Sequence, residues 1–220
     1  MSSGIIKEVI IAYKHRAPWL CIFVSAMLWP IAVLFTPLAG TIAETNSTSL
    51  SKEAAFVALL VALAFDELSA GQHTWLTARL SVTSQLTTSF ARRFILGLGV
   101  TWMSMAPATV LGVGLDLRAY LVMAFTAAHL AALYSLAKAL GLAPSSRSVL
   151  VSFIAIAVPA TNLGEGNMTL IIQTLLDPRA SHHAEGDIFM FTTAQILSIV
   201  VLVFVSGALS LSRIPLRADR

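Results

Sequence analysis

Charge is what this chain has least of. Lysine, arginine, aspartate and glutamate make up 11% of its 220 residues, against 57% hydrophobic residues, where a soluble domain carries roughly 25% charged residues. So little charge does not cover a water-facing surface, and the mean hydropathy of +0.82 points to lipid as the solvent. Cysteine is nearly absent as well. Cys21 stands alone, which excludes an internal disulfide, and its place in an apolar run reads as a small packed hydrophobe. No Gly-rich loop followed by a lysine occurs, so the chain lacks the phosphate cradle that binds ATP in that manner. An isoelectric point near 9.4 does not indicate nucleic acid, because the basic residues are scattered. Cytoplasmic loops of membrane proteins collect such an excess.

What the chain has is long apolar runs. They predict an all-α, polytopic membrane protein, a single transmembrane domain over residues 1–220, with about six transmembrane helices and both ends cytoplasmic. Residues 1–16 precede the first run. There Ile5, Ile6, Val9, Ile10 and Tyr13 share one helical face while Lys7, Glu8 and Lys14 interrupt it, the pattern of a helix lying in the membrane interface. The spans are expected at 17–38, 54–65, 94–115, 119–137, 148–163 and 188–211. The first, which carries Pro30, is longer than the apolar core of a signal peptide and reads as a retained helix. The second is too short to cross alone. It follows a polar stretch at 44–53 and can be completed by Leu50 to Lys52 on one side and Asp66 to Gly71 on the other, with Asp66 and Glu67 at an edge because a central carboxylate costs about 2.5–3.5 kcal/mol. Residues 164–187 form an external loop in which 168–176 is a short apolar helix, too short to span and read as re-entrant or surface-lying.

Orientation follows from the basic residues. With the N-terminus, 68–93, 138–147 and the C-terminus inside, every lysine and arginine except Lys52, Arg118 and Arg179 falls on the cytoplasmic side.

Few constellations carry chemistry. His129 is the only histidine at mid-span, so facing histidines on two spans, as haem ligation needs, are absent. It stands as an intramembrane polar candidate, against the plainer reading of a packed histidine bonded to a neighbour. His182, His183, Glu185 and Asp187 lie on the external loop without the spacing of a structural metal site. Ser206 and Gly207 have no partner histidine or acid at matching depth for an intramembrane protease. No catalytic residue, cofactor or metal is therefore expected. The remaining feature is the 68–93 segment. Asp66 and Glu67 end a span, Gly71 follows, then the amphipathic 72–80, a polar turn at 81–84, and a helix rising through Arg92 and Arg93, either of which is positioned to pair with the two acids. An amphipathic loop with snorkelling arginines accounts for the same pattern.

This layout resembles the permease subunits of type-2 ABC exporters. They have an interfacial N-terminal helix, six spans, a short Gly-initiated coupling helix after an acidic residue between spans two and three, and re-entrant helices between spans five and six. Within that family, length and spacing are similar to the haem-exporter B subunits of cytochrome c maturation. The matching stretches are Lys7 to His15, the spacing from Gly71 to Arg92, and Arg147 to Leu150 opening span five. The chain departs from them at Thr74, where an acid is usual, in the absence of proline at 80–83, and in the absence of a Gly-Trp signature opening span two. The resemblance implies a multi-pass subunit of a bacterial cytoplasmic (inner) membrane that exports a hydrophobic or amphipathic substrate. It also implies two partners, a separate ATP-binding-cassette ATPase and a second permease copy or homologue. Gln72, His73, Trp75 and Arg79 would face the ATPase, with Asp66, Glu67 and Gly71 at the root of the lever. The competing expectation is a structural or assembly subunit of a larger membrane complex, in which small-residue faces serve only to pack helices.

Overall fold

The computed structural model describes residues 10, 16–35, 42–70, 82–110, 117–160 and 188–212. All regular structure among them is helical: α1 (Arg16–Phe35), α2 (Ile42–Ala70), α3 (Val82–Val110), α4 (Leu117–Ala139), α5 (Pro144–Ala160) and α6 (Ile188–Ser212). The expected interfacial helix, apart from an exposed helical Ile10, the coupling residues Gly71, Gln72, His73, Trp75 and Arg79, and the 164–187 loop lie outside the described residues.

Two boundaries differ from the sequence reading. The polar stretch at 44–53 is not a separate connection but the first half of α2, which runs unbroken for 29 residues. Nothing between Ile42 and Ala70 is glycine or proline, the residues that stop a helix, whereas serine, threonine and asparagine cost only tenths of a kcal/mol each. At 1.5 Å per residue α2 reaches about 43 Å, so the short apolar run 54–65 lies inside a helix of ample length. Likewise α3 starts at Val82, so the polar turn expected at 81–84 is, from Val82 on, already the first turn of the helix that carries Arg92 and Arg93.

The helix α4 is the hub, packing against α2, α3, α5 and α6, while α1 packs on α2 and α3. Its inward residues are mostly small, with Ala119, Ala127, Ala128, Ala131, Ala132 and Ala137 all buried, and small side chains let helix axes approach closely. One cluster, built from Leu59, Leu63, Leu96, Val100, Ala127, Tyr134 and Val151, joins α2, α3, α4 and α5. A second, of Ala55, Met105, Ala108, Ala119 and Met123, lies toward the other end of α2, α3 and α4. The packing is close at Gly97, where a Cβ would stand 2.8 Å from Leu59 Cδ1 and 3.2 Å from Ala127 Cβ.

Both hairpins around α4 have local causes. Between α3 and α4, Trp102 Nε1 donates to the Tyr120 carbonyl at 3.2 Å, the two rings meet edge to face, and the Thr109 and Tyr120 hydroxyls bond at 2.5 Å. Between α4 and α5, Gly141 takes φ 75°, a value open to glycine. Leu142 N then donates to the Ala137 carbonyl and Gly141 N to the Lys138 carbonyl, the paired bonds of a Schellman cap. Pro144 opens α5 at its first position, where its missing N–H costs nothing.

Among the described residues one helix, Ala119–Ala139, is by itself long and apolar enough to cross a membrane. The outward faces of other helices are apolar too: Leu20 of α1, Phe153 of α5 and Phe204 of α6 are 64%, 67% and 75% exposed.

Candidate functional site

Four helix ends converge at one end of the bundle, and they bring charge with them. Asp66 and Glu67 stand in the last turns of α2, Arg92 and Arg93 in the first half of α3, Tyr134 near the end of α4 and Arg147 in the first turn of α5. Arg92 Nη2 donates to Asp66 Oδ2 at 3.0 Å. Arg93 donates to Glu67 Oε2 through Nε at 3.1 Å and Nη2 at 2.5 Å. The other Glu67 oxygen, Oε1, accepts from Arg147 Nη1. One carboxylate thus ties three helices. Glu67 and Arg93 are each only 1% exposed, and Asp66 is buried as well. The Arg93 guanidinium lies over the Tyr134 ring with its carbon 5.7 Å from the centroid, within cation–π range, and the Tyr134 hydroxyl lies beside Ser148.

The pairing between Asp66–Glu67 and Arg92–Arg93 is the one that the sequence suggested. Arg147 and Tyr134 are additions that sequence reasoning missed. For Arg147 a signal existed: Gly141 and Pro144 announce a tight hairpin, which returns the first turn of α5 to the end of the bundle where α2 finishes. Burying ion pairs is not a cheap source of stability, because desolvation consumes most of the Coulomb gain, whereas removing one partner costs about 3–5 kcal/mol. A cluster like this defines one arrangement of helices more than it adds to total stability.

His129 lies elsewhere, in the middle of α4. Its Nδ1 donates to the Phe125 carbonyl at 3.0 Å, which leaves Nε2 of the neutral ring to accept from the Ser198 hydroxyl at 2.5 Å. The bond crosses from α4 to α6 between residues 69 apart in sequence, and no periodicity could have announced it. Ser206 is not part of this pair; its hydroxyl donates to the Leu202 carbonyl one turn back on its own helix. The His129–Ser198 bond ties α4 to α6. His129→Ala is expected to remove the bond between α4 and α6 and to lower stability by about 1–3 kcal/mol. Thermal unfolding of the detergent-solubilised protein reads this, and Ser198→Ala in the same background should add little.

Comparison with known proteins returns nothing at this point: no family model, no curated protein and no solved structure matches the chain.

Proposed function

We propose that this chain is a multi-pass permease of a bacterial cytoplasmic membrane, the half-sized membrane subunit of an ABC-type exporter for a hydrophobic or amphipathic substrate. The observation that carries the reading is the ionic cluster on both sides of residues 71–81. Asp66 and Glu67 precede that segment and Arg92 and Arg93 follow it, and each acid is bonded to an arginine across it. A lever that receives force from a separate ATPase needs a rigid root, and two buried ion pairs supply one. A push on 71–81 then moves the ends of α2 and α3 together and reaches α5 through Glu67 and Arg147. Helices with two discrete packings turn such a push into alternating access.

The multi-pass part rests on the outward faces. Exposed aromatic and aliphatic side chains on α1, α2, α5 and α6, among them Phe23, Phe65, Phe153 and Phe204, are costly in water and are at home against acyl chains. With the basic residues inside, both ends are cytoplasmic. Apart from His129, the buried polar groups away from the ionic cluster are hydroxyls among the described residues, which suits a cargo without strong charge. Haem export in cytochrome c maturation is the finer version of the same reading. It rests on the sequence resemblance.

In this reading Gln72, His73, Trp75 and Arg79 form the ATPase docking face, with Trp75 as its apolar anchor. Affinity purification of the chain in mild detergent is expected to bring down a stoichiometric ATP-binding-cassette protein. Trp75→Ala combined with Arg79→Ala should release it while the permease stays folded. Recovery of membrane subunits of some other assembly only, with no ATPase even after crosslinking, favours the second reading, an assembly subunit. The close helix packing at Gly97 and along the alanines of α4 would then be its main property.

A further inference from the structure

The cluster at the ends of α2, α3 and α5 is short of anions. Asp66 and Glu67 face Arg92, Arg93 and Arg147, and the exposed Lys138 at the end of α4 lies within electrostatic reach of all three arginines. Arginine keeps its charge in proteins, so two carboxylates stand against four cations. Two guanidinium donors in the cluster, Arg93 Nη1 and Arg147 Nε, are buried and have no hydrogen-bond acceptor. The first turn of α5, beside Arg147, contains no acidic residue, although that end of a helix favours negative charge, and Ser145 and Ser146 are exposed there.

We infer that this end of the bundle binds the phosphate of an acidic lipid, held by Lys138, Arg147 and the first turn of α5. The source is a lipid because of what surrounds the charge. Leu140 and Val149, which flank Lys138 and Arg147 in sequence, are exposed and apolar, as are Phe65 and Leu68 on either side of the two acids. Basic groups at helix ends with apolar side chains next to them match a headgroup and its acyl chains at the depth where the two meet, on the side where basic residues collect. The bound phosphate supplies the missing negative charge and fastens the α4–α5 hairpin to α2. The inference rests on the membrane part of the proposed function and is independent of transport.

The test uses the full chain in nanodiscs of phosphatidylcholine alone or with phosphatidylglycerol, with thermal unfolding followed by tryptophan fluorescence and retained lipid counted by native mass spectrometry. Phosphatidylglycerol should raise the midpoint and be retained preferentially. Lys138→Gln should weaken that retention about fivefold without moving the midpoint in phosphatidylcholine, and Lys138→Arg should restore it. Equal midpoints in the two lipid mixtures, or full retention by Lys138→Gln, overturn the inference while leaving the permease reading intact. A midpoint raised in pure phosphatidylcholine by inorganic phosphate alone would overturn the lipid source in favour of a soluble phosphate. Failure of the chain to insert into any bilayer would sink the inference and the membrane reading together.

Discussion

Glu67→Gln is expected to be the most damaging single change in this protein, lowering stability by about 3–5 kcal/mol and abolishing any activity that depends on the bundle. The substitution is nearly isosteric, so packing is preserved and the charge alone is lost. Its consequence falls on two residues at once. Arg93 and Arg147 both bond to this carboxylate, and with Glu67 neutral the buried Arg93 has no anionic partner left. The glutamine amide adds a donor where two guanidinium groups already supply donors. Fluorescence-detected size exclusion after graded heating should show the single, symmetrical peak disappear at a markedly lower temperature than for the parent. The pairing makes a further statement. If Glu67 and Arg147 act as a unit, the double variant Glu67→Gln with Arg147→Gln should be less damaging than the sum of the two single variants, by a coupling of about 0.5–3 kcal/mol. Unfolding of the single variant at the parental temperature would mean that water reaches the cluster, and the account of a buried ionic root would fail.

The second large effect is expected at Gly97. A methyl group there meets Leu59 Cδ1 at 2.8 Å and Ala127 Cβ at 3.2 Å. The first contact is with the end of a flexible side chain, and the second is with an atom fixed to the backbone of α4. Gly97→Ala therefore combines a gain of about 1 kcal/mol in helix propensity with an overpacking cost of about 1–3 kcal/mol, and the net sign is destabilising. Gly97→Val, with two more carbons and no room to turn them, should reach the upper end of that cost and separate α3 from α4. Two comparisons isolate the steric cause. Leu59→Ala should relieve part of the Gly97→Ala defect, because it removes the nearest atom. Gly207→Ala in α6, where a Cβ meets nothing within 4 Å, should give the propensity gain alone and stabilise the protein. Equal behaviour of Gly97→Ala and Gly207→Ala in thermal unfolding would refute the close-packing explanation.

How much of this was legible in the sequence depends on the range over which each feature is decided. The α4 helix could be read with nearly its true limits, because its apolar run is bounded by a polar turn on each side. The start of α2 could not. Glu44, Thr45, Asn46 and Ser47 look like a loop by composition, yet no glycine or proline breaks the backbone there, and a helix once nucleated continues through residues that are merely poor formers. The pairing of Asp66 and Glu67 with Arg92 and Arg93 was readable because a short connection forces α2 and α3 to lie antiparallel, so charges near the two ends of that connection must meet. For Arg147 the Gly141–Pro144 hairpin signalled the end of the bundle but not the partner, and Ser198 was hardly readable at all, since their partners come from helices distant in sequence.

By itself the sequence determined that this chain is helical and apolar, where its runs lie, which end collects the basic residues and which two acids end the second run. Those properties are local: hydropathy, propensity and charge count are sums over neighbours along the chain. Only the tertiary structure decided that Glu67 is shared between two arginines, that Tyr134 lies beneath one of them, that His129 is tied to Ser198, and that Gly97 faces Leu59 and Ala127. Each of those depends on the rotation and depth of one helix against another. A shift of one residue turns a helix by about 100°, so the packing of the whole bundle determines which side chains meet.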